Sequence, residues 1–409
     1  MVDDASLNQA ASARPGAGRA RLFATLRLAF GLALLAIVGW SVPWRDRLLV
    51  HEGAAVASVP GVIVGPWNEA EVGFVPAPEL DAGDFPPRLA ADWAARPADG
   101  LRLARRAEGV DGYEWRPGIR RVWADADADA FLLPFALLFL AIIVGVVRWW
   151  RLLAAVGVSA RLWTCARLTF LGVFFNLVVP GLTGGDLVKA VLVVRENPTQ
   201  RANALVSVVV DRVLGLFVII AMTAVAVTLS PDTFGELRGW VLWMFAALCV
   251  GAWCFLGAWP RRVLRIESLL ARLPQAERLS SLDRAVREYT RHKGTLAVAV
   301  VLSVANHVII ALALWHLTHA FGALDLGYWD VLGAGAIANV VSSVPLAPGG
   351  WGVGEAVYGF VYAKLGAPAT IGIAVSVSYR LLMTLMGLLG GLFLLTRSAR
   401  AEAREVRGS

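Results

Sequence analysis

Two apolar stretches of this chain are each cut by a run of glycine and proline, and each cut is followed by a carboxylate and then by an arginine. The first copy reads Asn176, Pro180, Gly181, Gly184, Gly185, Asp186 and Arg212. The second reads Asn339, Pro345, Pro348, Gly349, Gly350, Gly352, Gly354, Glu355 and Arg380. From carboxylate to arginine the spacings are 26 and 25 residues. The pattern predicts an internal repeat built on two broken membrane helices.

A membrane is required because 57% hydrophobic residues, 17% charged residues and a mean hydropathy of +0.63 do not describe a soluble domain of 409 residues. Apolar runs near or above the roughly 17 residues needed to span occupy 22–42, 131–147, 213–229, 240–259, 295–318 and 369–396. Six spanning helices are expected. Arg14, Arg19, Arg21 and Arg27 precede or enter the first, which places the N-terminus in the cytoplasm. A cleaved signal peptide is the competing reading of 14–42, but no small-x-small cleavage site follows its core, which favours an uncleaved anchor.

Residues 43–130 break from this pattern with 15 acidic and 10 basic residues and isolated tryptophans at Trp67, Trp93, Trp115 and Trp123. They read as a small extracytoplasmic inserted domain. The run 54–64 favours strand, whereas Pro60, Pro66, Pro76, Pro78, Pro86 and Pro87 argue for much irregular backbone. Nothing in it has catalytic spacing, so it reads as a solvated cap or as a ligand or partner site. The expected organisation is therefore 1–42 (cytoplasmic N-terminus and first span), 43–130 (insertion), 131–396 (membrane domain) and 397–409 (basic cytoplasmic tail).

The loops agree on orientation. Arg148, Arg151, Arg161 and Arg167 occur in 148–167 without an acid, and 260–294 carries nine basic and four acidic residues. Both belong on the cytoplasmic side, where anionic lipid headgroups are natural partners, and the second has the apolar periodicity of an interfacial amphipathic helix. The linkers 230–239 and 319–330 hold one arginine between them and four acids, and belong outside. An inner-membrane protein with both termini cytoplasmic follows.

The interrupted segments are short. At about 1.5 Å per residue, the arms 170–179 and 187–194 reach roughly 15 and 12 Å into a core about 30 Å thick. The first arm can lengthen backwards through Trp163 if Arg167 snorkels. Both flanks of this hairpin are basic, so it enters and leaves from the cytoplasm, and the second, 331–344 with 356–365, from outside. The predicted fold class is an all-α polytopic membrane protein with an inverted repeat of two re-entrant helical hairpins, plus the inserted domain. Non-helical backbone at membrane depth is tolerated only where protein or a watery cavity covers it, which implies a polar midplane site.

Asp186 and Glu355 open helices after glycines, as capping acids or as carboxylates for a substrate or coupling ion. Lys189, three residues on, shares the Asp186 face and offsets its charge toward a phosphate. Arg380 lies in an apolar run and needs a partner: Glu355, Asp186 or a lipid phosphate. Arg212 can snorkel, or pair with its neighbour Asp211. Asn176 and Asn339 can bridge freed backbone groups or touch a headgroup. Asn306 and His307 lie inside a span, as a core pair or a proton relay.

Several classes are excluded. Cys165, Cys249 and Cys254 sit in apolar stretches and imply no disulfide framework. His316 and His319 have no third ligand nearby for a metal. There is no phosphate loop, zinc-protease pair or nucleophile elbow, no cofactor is implied, and the charge of +7 sits beside apolar segments rather than in a nucleic-acid face.

The strings NLVVPGLTGGDLVKA (176–190), DRVLG (211–215), PLAPGGWGVGEAVYG (345–359) and SYRLL (378–382) resemble the transmembrane region of lysylphosphatidylglycerol synthases, also called flippase-like membrane proteins. The resemblance implies a scaffold that moves lipid between leaflets, while a separate acetyltransferase-like domain makes that lipid. The chain ends soon after its last span, so the synthase domain is not expected and a separate lipid-synthesising enzyme is the implied partner. The expected function is translocation of a phospholipid or other lipid-linked substrate by a non-enzymatic protein. Alternatives are a membrane-embedded transferase on a lipid-linked substrate and an ion-coupled small-solute transporter.

Overall fold

The computed structural model describes residues 44–94, 100–105, 110–178, 184–229, 231–263, 276–342 and 352–408, with 36, 40 and 265 as isolated positions. Its first part is a sheet of five antiparallel strands: β1 (Asp46–Glu52), β2 (Ala55–Val64), β3 (Glu71–Pro76), β4 (Leu101–Ala104) and β5 (Gly112–Arg116), in the order β4-β3-β2-β1-β5. Helix α1 (Pro87–Trp93) lies between β3 and β4 in sequence. Period-2 alternation buries Leu48 and Val50 of β1 on one face, with Ile63, Phe74, Trp115 and Leu89 in the same core.

The prolines do not make this region irregular as expected. Pro60 sits inside β2 opposite Arg47, and its carbonyl accepts the Ala77 N–H at 2.9 Å just beyond the end of β3. A residue's N and O face the same neighbouring strand, so the missing N–H of Pro60 falls where the β2–β3 ladder has ended.

The sheet is tied to the helices through α2 (Ile119–Ala124). Buried Asp46 accepts hydrogen bonds from the N–H groups of Ile63 (2.9 Å) and Gly118 (2.7 Å) and from Arg121 Nε (2.7 Å). Thr370 Oγ1 donates to Pro117 O at 3.0 Å, and the Trp67 ring lies against Gly322. Gly322 has φ +86°, and a Cβ there would meet the indole at 2.7 Å, so backbone and packing both demand glycine.

The remaining helices are α3 (Leu132–Ala155), α4 (Leu162–Val178), α5 (Gly184–Glu196), α6 (Arg201–Leu229), α7 (Pro231–Leu256), α8 (Ala258–Val263), α9 (Ala276–Arg291), α10 (Lys293–Ala320), α11 (Tyr328–Ser342), α12 (Val353–Lys364) and α13 (Ala369–Gly408). Four segments among the described residues are long and apolar enough to cross a membrane: Ala128–Ala155, Arg201–Leu229, Lys293–Ala320 and Ala369–Phe393. They coincide with four of the six expected spans, and the protein is a polytopic, mainly helical membrane protein. The expected span 22–42 lies outside the described residues apart from two positions. The span expected at 240–259 falls in α7, which bends at Gly235 (φ 32°, ψ −111°) and keeps a shorter apolar helix, Arg238–Cys254.

The helices described on either side of the two glycine-proline runs are separate elements. Helix α4 is described to Val178 and α5 from Gly184; α11 is described to Ser342, and α12 begins at Val353 after Gly352. Pro180, Gly181, Pro345, Pro348, Gly349 and Gly350 lie outside the described residues. Helices α4 and α5 run antiparallel, since Arg167 Nη2 meets Glu196 Oε1 at 2.5 Å at one end and Asn176 Oδ1 accepts the Gly185 N–H at 2.7 Å at the other. The outer ends of this pair lie beside the end of α3 remote from the sheet, where Asn203 Nδ2 donates to Val156 O at 2.9 Å. Amphipathic α9 packs at the same end, with Tyr289 OH donating to Leu152 O at 3.0 Å and Asp283 bound by Arg261 at 2.8 and 2.9 Å. The outer ends of α11 and α12 lie instead beside the sheet, next to the Gly322 and Thr370 contacts.

Gly185 permits the α4/α5 approach, because a Cβ there would collide with the carbonyl of Gly172. Backbone carbonyls have no rotamer to yield. Gly185→Ala is expected to force the pair apart and destabilise the protein by about 1–3 kcal/mol, the usual cost of overpacking. A melting curve in detergent checks this; an unchanged midpoint would show that the pair is not closely packed.

Candidate functional site

The acids of the two breaks sit in the first turn of α5 and of α12, and each is bound by the arginine of the next long helix. Asp186 Oδ2 pairs with Arg212 Nε across α5 and α6. Glu355 Oε1 pairs with Arg380 Nε at 2.7 Å across α12 and α13. Glu355 is 2% exposed, and its other oxygen accepts the Gly352 N–H at 2.6 Å. That satisfies one of the donors a helix start leaves open, at a glycine with φ +82°. Ser376 Oγ adds a 3.2 Å hydrogen bond to Oε1. Gly354 lies directly against the Arg380 guanidinium, where any Cβ would clash.

Beside the first pair is a network that the sequence alone does not reveal. Arg148 of α3 donates from Nε to Asp211 Oδ1 at 2.7 Å and from Nη1 to Ser303 Oγ of α10 at 2.8 Å. Lys189 Nζ approaches Asp211 Oδ2 at 3.8 Å and lies 3.7 Å from the centre of the Trp149 ring. Arg148, Asp211 and Lys189 are all buried, and their mutual pairing offsets the desolvation of each. Trp149 Nε1 is satisfied by Ser207 Oγ at 3.1 Å.

Three expectations are corrected here. Asp211 pairs with Arg148 and Lys189 rather than with its neighbour Arg212, because adjacent residues on a helix point about 100° apart. Lys189 turns to Asp211 rather than to Asp186, so the lysine and the first-turn acid of α5 have different partners. Arg148, counted by sequence among the basic residues of a cytoplasmic loop, belongs to the interior. The one available signal was that Asp211, at the edge of a span, needs a cation. Arg151 is exposed and lies over the Trp150 ring.

A cavity of about 220 Å³ opens onto both sets of charges, lined by Arg148, Asp186, Lys189, Asp211 and Arg212 together with Asn176, Thr169, Asn306 and Tyr379. It brings together four of the expected site residues: Asn176, Asp186, Lys189 and Arg212. Glu355 and Arg380 do not line it, but Tyr379 adjoins Arg380 in sequence and places α13 on its wall. Asn339 lines a smaller cavity with His307, whose Nε2 lies 3.0 Å from Gly215 O. His319 Nδ1 is 3.0 Å from Trp315 O, a helix-internal contact, and no group of three metal-ligating residues occurs among the described residues.

The family model for the lysylphosphatidylglycerol synthase transmembrane region matches residues 117–391, well over half of the chain. The chain belongs to that family. As a multi-pass membrane protein of the lysylphosphatidylglycerol synthase transmembrane family, it carries both ion-pair sites and the cavity within the matched region. The match begins immediately after β5, so the five-stranded sheet lies outside the matched region. No curated protein matches the chain.

Proposed function

We propose that the protein translocates a lipid or lipid-linked substrate between the leaflets of the inner membrane, passing its headgroup through a polar site at the inner ends of two opposed re-entrant hairpins. The observation that carries this reading is the repetition of one device. Asp186–Arg212 and Glu355–Arg380 are the same acid–arginine pair, in the first turn after a break, on helix pairs that open toward opposite ends of the bundle.

Helix lengths support re-entry. The 13 residues of α5 and 12 of α12 rise roughly 20 and 18 Å, short of a core about 30 Å thick. Each acid then sits near mid-membrane, where a polar group is costly unless it serves a pathway. Opposed hairpins give a headgroup access from either face, which a transferase working at one face does not need. Both carboxylates are held by guanidinium groups, which suits headgroup binding better than proton transfer, so the reading is of a non-enzymatic protein. A separate enzyme supplies the lipid, the basic segments 151–167 and 260–294 face anionic headgroups in the cytoplasm with both termini, and the sheet lies outside.

Reconstitution tests this. Purified protein in vesicles carrying labelled anionic, aminoacylated or polyprenyl lipids is expected to expose at least one class to a membrane-impermeant quencher faster than protein-free vesicles do. Equal rates for all three classes with and without protein would overturn the proposal.

A further inference from the structure

Where the sheet meets the helix ends lies a cavity of about 600 Å³ that neither acid–arginine pair touches. One wall comes from the sheet, with Asn68, Arg105, Glu114, Trp115 and Arg116. The other comes from the loop between α10 and α11, with Asp325 and Leu326, and from the connection between α12 and α13, with Leu365 and Pro368. No lining residue belongs to the middle of a spanning segment, so a ligand reaches this cavity from water on the side of the sheet.

The charges in the lining divide into a pair and two single groups. Arg116 Nε lies 3.2 Å from Glu114 Oε1, and the second oxygen of Glu114 is 3.2 Å from His51 Nε2. Arg105 and Asp325 line the same cavity without meeting, and neither has an ion-pair partner among the described residues. Arg105 lies instead over the Trp115 ring, 4.9 Å from its centre. That ring is 2% exposed and its Nε1 donates to Trp67 O at 2.6 Å, so the platform is fixed. A cation–π contact positions a guanidinium without cancelling its charge. The sheet wall therefore presents a placed cation, and the helix wall an uncompensated carboxylate.

The uncharged groups narrow the ligand further. The Asn68 side chain has no hydrogen-bond partner among the described residues, and it offers one acceptor and two donors, the complement of a peptide amide. Leu326, Leu365 and Pro368 add apolar surface for side chains.

We propose that this junction cavity binds a short zwitterionic peptide, its terminal carboxylate on Arg105 and its terminal ammonium on Asp325. A planar guanidinium takes a carboxylate through two parallel N–H···O bonds, and a single carboxylate suffices for an ammonium. The site needs both walls, and one of them is the sheet that lies outside the matched family region. It stands apart from the proposed translocation and is tested without it.

Calorimetry on the full-length protein in non-ionic detergent measures the binding. The probes are trialanine, trialanine amide, N-acetyl-trialanine and glycerophosphoethanolamine. Saturable binding of trialanine is expected, and removal of either terminal charge should weaken it by roughly tenfold, the usual effect of losing a charged hydrogen-bond partner. Arg105→Gln should weaken trialanine to the level of its amide and leave the amide unchanged. Asp325→Asn should do the same with respect to N-acetyl-trialanine. This selectivity separates ligand contact from a general loss of structure, and each variant tests a different wall.

No saturable binding of trialanine, equal binding of the blocked peptides, or unchanged affinity in either variant would overturn the proposal. Glycerophosphoethanolamine binding more tightly than trialanine, and weakened by both variants, would overturn the peptide and keep a site for zwitterions.

Discussion

Removing the Arg380 guanidinium is expected to abolish lipid exposure in reconstituted vesicles and to cost about 3–5 kcal/mol of stability, because Glu355 is then buried without its counter-charge. The single variant Arg380→Met confounds these two effects. The double variant Glu355→Gln with Arg380→Met separates them, since replacing both members of a buried ion pair by neutral groups is often neutral or stabilising. The glutamine can keep hydrogen bonds to the Gly352 N–H and Ser376, which hold the start of α12. The double variant should therefore melt close to the parent protein and still fail to expose lipid. Full activity in it would remove Glu355 and Arg380 from the transport site and leave them a structural clamp between α12 and α13.

Arg148→Met is expected to be similarly destabilising, by about 3–5 kcal/mol, for a different reason. One guanidinium joins three long helices, binding Asp211 of α6 and Ser303 of α10 from α3. Without it, Asp211 keeps only Lys189, at 3.8 Å, and Ser303 Oγ loses its donor. Arg151→Met, three residues on, is the control. Arg151 is exposed and its contact is a cation–π approach of 5.6 Å to Trp150, so its loss should stay within about 0.5 kcal/mol. Detergent melting curves of the two variants compare them directly. Equal midpoints would mean that the Arg148–Asp211 pair contributes no more than a surface contact.

Much of the architecture was readable without coordinates because its causes are local. The runs at 131–147, 213–229, 295–318 and 369–396 are helices since nothing else satisfies the backbone in lipid. Asn176 bridging to Gly185 follows from the same need at a broken helix. The sheet was harder to see, because Pro60 and Pro76 forbid a strand only if their missing donors face a neighbour, and strand order alone determines that.

The repeat of acid and arginine, its spacing and its membrane setting were determined by the sequence, for each depends on residue type and on distance along one or two helices. Which charge meets which was decided only by the tertiary structure. Asp211 and Arg212 are neighbours in the chain, yet one turns to Arg148, 63 residues earlier, and the other to Asp186. A helix sends successive side chains to different faces, and the partner on each face is set by the helix packed there. The cluster of charged side chains that lines the cavity arises from that packing, so it exists in the folded protein and in no segment of the sequence taken alone.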